Sequence, residues 1–536
     1  MHILLYVPNN HANGNFVPQL WPFLLRAQTP PEHQVTILDS NAVPCTEESL
    51  IQFIREKNVK LVGMGFMTRM ARKAYFTAAA IRGQTGVPVV MGGPHVTELP
   101  DEPLGRNGQP KCADAVVLGE ADDIWPQVVH DAACGQLKDV YGAKPAESRS
   151  TKPSLAEYPV IAWDQMDLSN FDLMRFVPAS VRKVFSKIGI RYERVFVIPV
   201  ESGRGCPYGC EFCTVTGFFG DDVRFRSNAS VIAELKSLKR LAEREKALVS
   251  VFFVDDNLAI RRERLKSLLR NMIANDVCLP WVAQISVNLL KDEELVRLIR
   301  ASGGRFVFVG LESIDRKSLA SAKKGFNKPE EYASVLEMLS RFDIYAITSF
   351  IMGMDEDQPG VSARITSELA VWPPGLPVFG LLTPYPGTPL YKRLAGEKRL
   401  VRPDHWNDFR PFKMAFQPRN ITADEAEQEV LQSWQQSYGT EAFARTQSWL
   451  LAHRKPFNYQ VMLFVARLLF RGIYFPQSTR QAWLWLLARN FRTITSMIRH
   501  RKMNKNQRTL DAVWESAGKA DNSPNSAIWN KEQQHP

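Results

Sequence analysis

Three cysteines fall within eight residues, in Gly203-Arg-Gly-Cys206-Pro-Tyr-Gly-Cys210-Glu-Phe-Cys213, a C-x3-C-x2-C spacing inside a glycine-rich run. Thiolates so close in sequence can be folded around one centre if the backbone turns tightly, and Gly205 and Gly209 are residues that tolerate a positive φ. Three thiolates suit a [4Fe–4S] cluster with one iron left open to a ligand from outside the protein, because a fully protein-held cluster takes four. A structural zinc site is the alternative reading, and it asks for a fourth Cys or His at regular spacing. No such residue follows nearby, since the next cysteine is Cys278. Seven cysteines in 536 residues do not make a disulfide framework, which points to a reducing compartment.

The elements that must position the triplet are short apolar runs alternating with helical patterns. From the N-terminus, His2–Val7, Gln34–Leu38, Leu61–Phe66, Val87–Met91 and Ala115–Leu118 are too short and too β-branched for helices. Glu47–Lys57 and Arg69–Gln84 lie between them with apolar residues at helical spacing. This alternation predicts an α/β fold with a doubly wound, Rossmann-like parallel sheet over residues 1–143, binding its ligand at the strand C-termini. Residues 144–190, rich in Pro, Ser and charge, read as a linker. A second alternation, through Val195–Ile198, Val249–Val254, Trp281–Ile285, Arg305–Val309, Ala346–Ile351 and Val378–Leu382, predicts a partial or full β/α barrel over 191–420. The triplet follows the first of these strands, at the end where barrel chemistry sits. Residues 421–516 read as a helical C-terminal segment, beginning with a helix at Ala423–Thr446, and 517–536 as a polar, disordered tail.

The triplet, with the strands that follow it, resembles the radical S-adenosylmethionine (SAM) enzymes. In that family the open iron binds the amino and carboxylate groups of SAM, and an electron from the cluster cleaves SAM to a radical that abstracts hydrogen. The resemblance makes Cys206, Cys210 and Cys213 the cluster ligands and places Phe212 by the adenine. Asp255, Asp256, Ser286 and Glu312, all at predicted strand ends, become candidates for the remaining SAM groups. Val254-Asp-Asp-Asn257 stands where the family's Gly-Gly-Glu signature would be.

Glycines also end two strands of the first domain, in Met91-Gly92-Gly93-Pro-His95 and Leu118-Gly119-Glu120, and they let a phosphate-bearing or large planar ligand approach the backbone. Joined to the triplet, they resemble the cobalamin-binding domain carried by one large subset of radical SAM enzymes. Phe253-Val-Asp-Asp-Asn257 and Thr383-Pro-Tyr-Pro-Gly-Thr388 recur there too. The resemblance then covers roughly residues 1–420 and implies cobalamin contacts from Gly92, Gly93, His95, Gly119 and Glu120. Domains that ligate cobalt through histidine carry Asp-x-His-x-x-Gly after their first strand. Asn9-Asn-His11-Ala-Asn-Gly14 has His11 at the ligand position and Asn9 in place of the orienting aspartate.

The net charge of +11 is concentrated. Between Ala442 and Leu510 there are thirteen Lys and Arg and no Asp or Glu, so the rest of the chain is close to neutral. Tyr459–Phe475 and Arg480–Arg501 mix these arginines with large apolar residues at helical spacing, the pattern of helices lying on an anionic membrane surface. A helical cap on the barrel with a solvated basic face is the competing expectation. Nucleic acid is disfavoured, because no RNA-binding module is recognisable and the apolar share is high. Arg467 and Arg471 interrupt the best candidate membrane span, and the apolar start Met1–Val7 lacks the basic lead of a signal peptide, so a cytoplasmic protein is expected.

The resemblance thus implies an enzyme with a [4Fe–4S] cluster, SAM, cobalamin and an external one-electron donor such as flavodoxin or ferredoxin. The expected reaction is methylation of an unactivated carbon in a hydrophobic, hopanoid-like lipid. A radical cyclase using the same cofactors is the runner-up, and a cobalamin sensor with a structural cluster is the reading from another class.

Overall fold

The protein is described here by a computed structural model covering residues 1–9, 17–144, 152–177 and 192–474, with isolated positions at 179, 182, 183 and 499. Six parallel strands form the first sheet: β1 (His2–Val7), β2 (Gln34–Asp39), β3 (Val59–Gly65), β4 (Val89–Gly92), β5 (Ala115–Leu118) and β6 (Val140–Gly142), in the order β2-β1-β3-β4-β5-β6. Leu4 and Tyr6 face one apolar core and Ile3 and Leu5 the other. Burial on both faces is why these strands read as unbroken apolar runs. The chain reverses its direction of winding between β1 and β3, which opens a crevice at the strand C-termini. The edge strand β6 was not expected: three residues, Val-Tyr-Gly, carry no period, and Tyr141 is held by its hydroxyl donating to Asp131 at 2.9 Å.

The second sheet joins β7 (Val195–Val200), β10 (Leu248–Phe253), β11 (Trp281–Gln284), β12 (Gly304–Glu312), β13 (Tyr345–Met352) and β14 (Val378–Leu381), all parallel and neighbouring in chain order. It is a half-barrel, open between β7 and β14, with helices on its outer face. The helix Asn228–Glu245, for example, starts at Ser227, whose hydroxyl accepts from Ser230 N–H, and buries Val231, Leu235, Leu238 and Leu241. A small antiparallel hairpin, β8 (Gly203–Arg204) with β9 (Arg224–Phe225), brackets the cysteine loop.

Three segments depart from the expectations. Within the segment read as a linker, residues 152–177 are packed, with Trp163 fully buried and its indole N–H donating to Glu234 at 2.9 Å. The stretch after β14 returns to the first domain, where Trp406, Phe409 and Ala415 join its core. In the C-terminal segment the helix expected at Ala423–Thr446 is two, Ala423–Ser437 and Thr440–Ala452, followed by Phe457–Tyr474.

That last helix is half of the basic segment, and its arginines point inward. Arg467, 4% exposed, donates to Gly375 O at 2.6 Å and to Ser437 O, while Arg471 donates to Tyr438 O at 2.5 Å. Ser437 and Tyr438 end the helix Ala423–Ser437, so both cations meet carbonyls left over at the negative end of its dipole. For this half the barrel cap is the structure found. The other half, Arg480–Arg501, and the tail from Ala517 lie outside the described residues, apart from Arg499. No helix among the described residues is long and apolar enough to cross a membrane.

Candidate active site

The cysteine loop leaves β8 and is pinned at both ends. Gly205 donates its N–H to Asp256 at 2.9 Å, and Glu211 N–H reaches Ala322 O at 3.1 Å. Gly205 has φ +94°, and a Cβ there would collide with the Asp222 carbonyl, so glycine is required; Gly209 lies in open space outside the left-handed region. Cys210 is buried and Cys206 and Cys213 half-buried. Burial pushes all three thiols above their ordinary pKa, Cys213 to about 11, and the Cys206 and Cys210 charges add to that of Cys213. Three thiols on one short loop, with no fourth cysteine in it, are the donor set that suits a [4Fe–4S] cluster with one open iron. Cys278 is exposed on another element.

The proposed SAM residues cluster around the same barrel mouth but are engaged differently. Asp255 is fully enclosed and accepts from Ser202 N–H at 2.8 Å and Ser202 Oγ at 2.6 Å. Burial raises its pKa to about 6. Its oxygens are taken up fixing the turn between β7 and β8, a positioning task. Asp256, half-buried and raised to about 7 by burial, binds the cysteine loop through Gly205. Ser286 accepts from the Asn257 amide at 2.9 Å and returns its N–H to the Asn257 oxygen at 3.3 Å. Glu312 meets the Lys324 ammonium at 2.5 Å and accepts from Ser349 Oγ at 3.0 Å. Phe212 is half-buried against the barrel core, with the Lys324 ammonium 5.9 Å from its ring centre. Lys324 is a residue the sequence could not point to, since it sits twelve positions from Glu312 in a plain Lys-Lys-Gly run.

Between the two sheets lies a cavity of about 500 Å³. Gly63, Gly65, Gly92, Gly93, Gly119 and Glu120 line it from the first domain, and Pro199, Arg204, Phe218, Phe219, Phe252 and Val254 from the half-barrel. Two of these glycines are required by the protein's own packing: a Cβ on Gly65 would sit 2.9 Å from the Trp21 ring, and one on Gly93, at φ +101°, 2.7 Å from Phe66 O. This cradle, at the switch point of a doubly wound sheet, fits a large planar ligand such as cobalamin. Arg69 also lines the cavity, its buried Nε without a hydrogen-bond partner among the described residues.

Two of the residues expected to touch cobalamin do not face this cavity. His95 is buried in the core with Nδ1 3.2 Å from Thr68 Oγ1 and Nε2 3.2 Å from Glu102, because both ring nitrogens find partners there. Asn9 donates to Ser40 O at 3.2 Å, on the β2 side of β1. His11 lies outside the described residues. Glu120 lines the cavity but spends its charge across the domain boundary. It pairs with Arg204 and Arg224, each at 2.6 Å, and Arg204 also holds Asp122 at 2.8 Å and Glu201 at 2.9 Å. Burial works against the Arg204 charge, but Glu201 and Asp122 outweigh it and hold its pKa well above the ordinary value. Arg204 thus ties the cavity loop after β5 to the strand that leads into Cys206.

Comparison with known proteins agrees with this geometry. Residues 13–129 match the family model for the B12 binding domain, and residues 200–359 that for the radical SAM superfamily. The chain is 28% identical over 400 residues to bacteriochlorophyllide d C-12(1)-methyltransferase of Chlorobaculum tepidum, covering 74% of this chain and 78% of that protein. It is 25% identical over 402 residues to hopanoid C-2 methylase of Rhodopseudomonas palustris, covering 73% and 66%. The fold is shared with the radical S-adenosylmethionine methyltransferase TsrM of Kitasatospora setae, solved with cobalamin and a [4Fe–4S] cluster, at a TM-score of 0.56 and 18% identity over 81% of each chain. The chain thus joins a B12 binding domain to a radical SAM domain, and these two domains work with a [4Fe–4S] cluster, SAM and cobalamin.

Proposed function

We propose that the enzyme transfers a methyl group to an unactivated carbon of a hydrophobic, lipid-like substrate at the junction of the cysteine loop and the interdomain cavity. The observation that carries this reading is the cavity itself, with the glycine cradle on one side and the barrel mouth on the other. When bound, the cluster and SAM supply hydrogen abstraction and cobalamin supplies the methyl group. The chain's own residues do the rest. Cys206, Cys210 and Cys213 would hold the cluster, and Asp256 fixes their loop through Gly205. Phe218, Phe219 and Phe252 present apolar surface that excludes water from the reacting carbon. The relatives that act on a bacteriochlorophyllide and a hopanoid support methyl transfer and an apolar substrate. A donor such as flavodoxin or ferredoxin would deliver single electrons.

Anaerobically reconstituted enzyme, given SAM labelled in its methyl group and a lipid extract from cells lacking the gene, is expected to move label into one lipid that gains a single methyl. SAM cleavage without label in any product would overturn methyl transfer in favour of another radical reaction. Membrane contact belongs to the same proposal for the stretch 480–508, which holds eight Lys and Arg and no acid. The full chain should sediment with anionic vesicles and a version ending at Tyr474 should not; equal sedimentation would remove the membrane from the proposal.

A further inference from the structure

One buried charge beside the cysteines has no part in the functions above. Lys324 follows the short helix Arg316–Ser321, and its side chain is only 10% exposed. Its ammonium is bound by Glu312 at 2.5 Å and lies 5.9 Å and 6.0 Å from the ring centres of Phe212 and Phe326. It lies against the cysteine loop, because Glu211 N–H donates to Ala322 O, two residues before Lys324, and Phe212 is the neighbour of Cys213. A lysine is rarely enclosed in this way unless paired, because water no longer shares its charge.

The local backbone is shaped around this pair. Glu312 has φ +65°, the left-handed region that a residue with a side chain seldom enters. The pairing of β12 with β13 shifts register between Gly310 and Glu312, which turns the carboxylate toward Lys324. Gly310 carries no Cβ, and one there would collide with the Glu312 carboxylate and lie 2.9 Å from the Lys324 ammonium. Ser349 holds the second carboxylate oxygen. Strain, register and a bare backbone position all serve to keep one anion and one cation in fixed places near the cysteine loop.

We propose that Lys324 is a positioning residue that locks Glu312 in place and, as the fixed positive charge beside the cysteines, raises the reduction potential of the cluster they hold, with Glu312 opposing it. One-electron reduction adds a negative charge to the cluster. A nearby cation stabilises the reduced form and a nearby anion destabilises it, most strongly where water is excluded. The inference rests on the reading that Cys206, Cys210 and Cys213 hold the cluster and is independent of methyl transfer, so a failed methylation assay leaves it standing.

The test is a potentiometric titration with titanium(III) citrate, followed by electron paramagnetic resonance, on the reconstituted full chain without SAM. Lys324→Met is expected to shift the midpoint to a more negative potential, Glu312→Gln to a less negative one, and Lys324→Arg to leave it close to the parent. Shifts of the two neutralising variants in the same direction, or no shift at full iron and sulfide content, would overturn the proposal. If Lys324→Met does not retain its cluster, Glu312→Gln decides alone: a potential at or below the parent's sinks the idea.

Discussion

Cys210→Ala will leave reconstituted enzyme with a depleted cluster and SAM cleavage at background. Cys210 is the buried member of the triplet, and its neighbour Glu211 is anchored to Ala322 O, which fixes this ligand position in the loop. Changing only a residue that supports a metal ligand commonly costs about 10–100-fold in metal affinity, and losing a ligand outright should cost more. Iron and sulfide content with release of 5′-deoxyadenosine are the readouts. Cys278→Ala, at an exposed position on another element, is the matched control and should behave as the parent. Full iron content and unimpaired cleavage in Cys210→Ala would remove the triplet from the active site.

The second large effect is expected at Arg204, which no motif singled out. Its guanidinium is 5% exposed and pairs with Glu120, Asp122 and Glu201, whose side chains are themselves 4%, 13% and 8% exposed. Removing one partner of a buried ion pair costs about 3–5 kcal/mol, because the remaining charges stay buried and uncompensated. Arg204→Met should therefore lower the melting temperature clearly and, since these carboxylates join the cavity loop to the cysteine strand, release cobalamin on gel filtration. Arg204→Lys, which keeps the charge but loses the fork that reaches several acids, should fall between. Arg224→Met should be milder, as Arg224 is more exposed and among these acids pairs with Glu120 alone. A parent-like melting curve and full cobalamin retention in Arg204→Met would show that the domains are held by other contacts.

Arg204 also marks where local pattern stops being informative. Every strand of the half-barrel was legible, because each is an apolar run that stays apolar wherever its neighbours lie. Elements defined by what they touch were not. β6 is a strand only because β5 lies beside it, and the Pro-rich stretch around Trp163 is ordered only because Glu234 and the barrel helices receive it. Arg467 and Arg471 have the spacing of a solvated or membrane-facing stripe. They turn inward because the carbonyl end of another helix is there to be satisfied.

The site divides along the same line. The sequence alone determined the chemistry of the cluster, because three thiols within eight residues can surround one centre whatever the rest of the chain does. It also determined the cofactor-binding character of the first domain, since glycine is the residue that lets a ligand reach a strand end. Tertiary structure alone decided which charged residues stand beside the cysteine loop and the cavity. His95 and Asp255 have the right residue types and positions, and the fold gives them hydrogen bonds in the core and in a turn. Lys324, Arg204 and Arg69 carry no sequence signal and stand at the cluster loop and the cavity. The physical reason is range: a spacing of ligands is a property of a few bonded residues, whereas the partner of a buried charge depends on which distant strand ends the fold brings within about 3 Å.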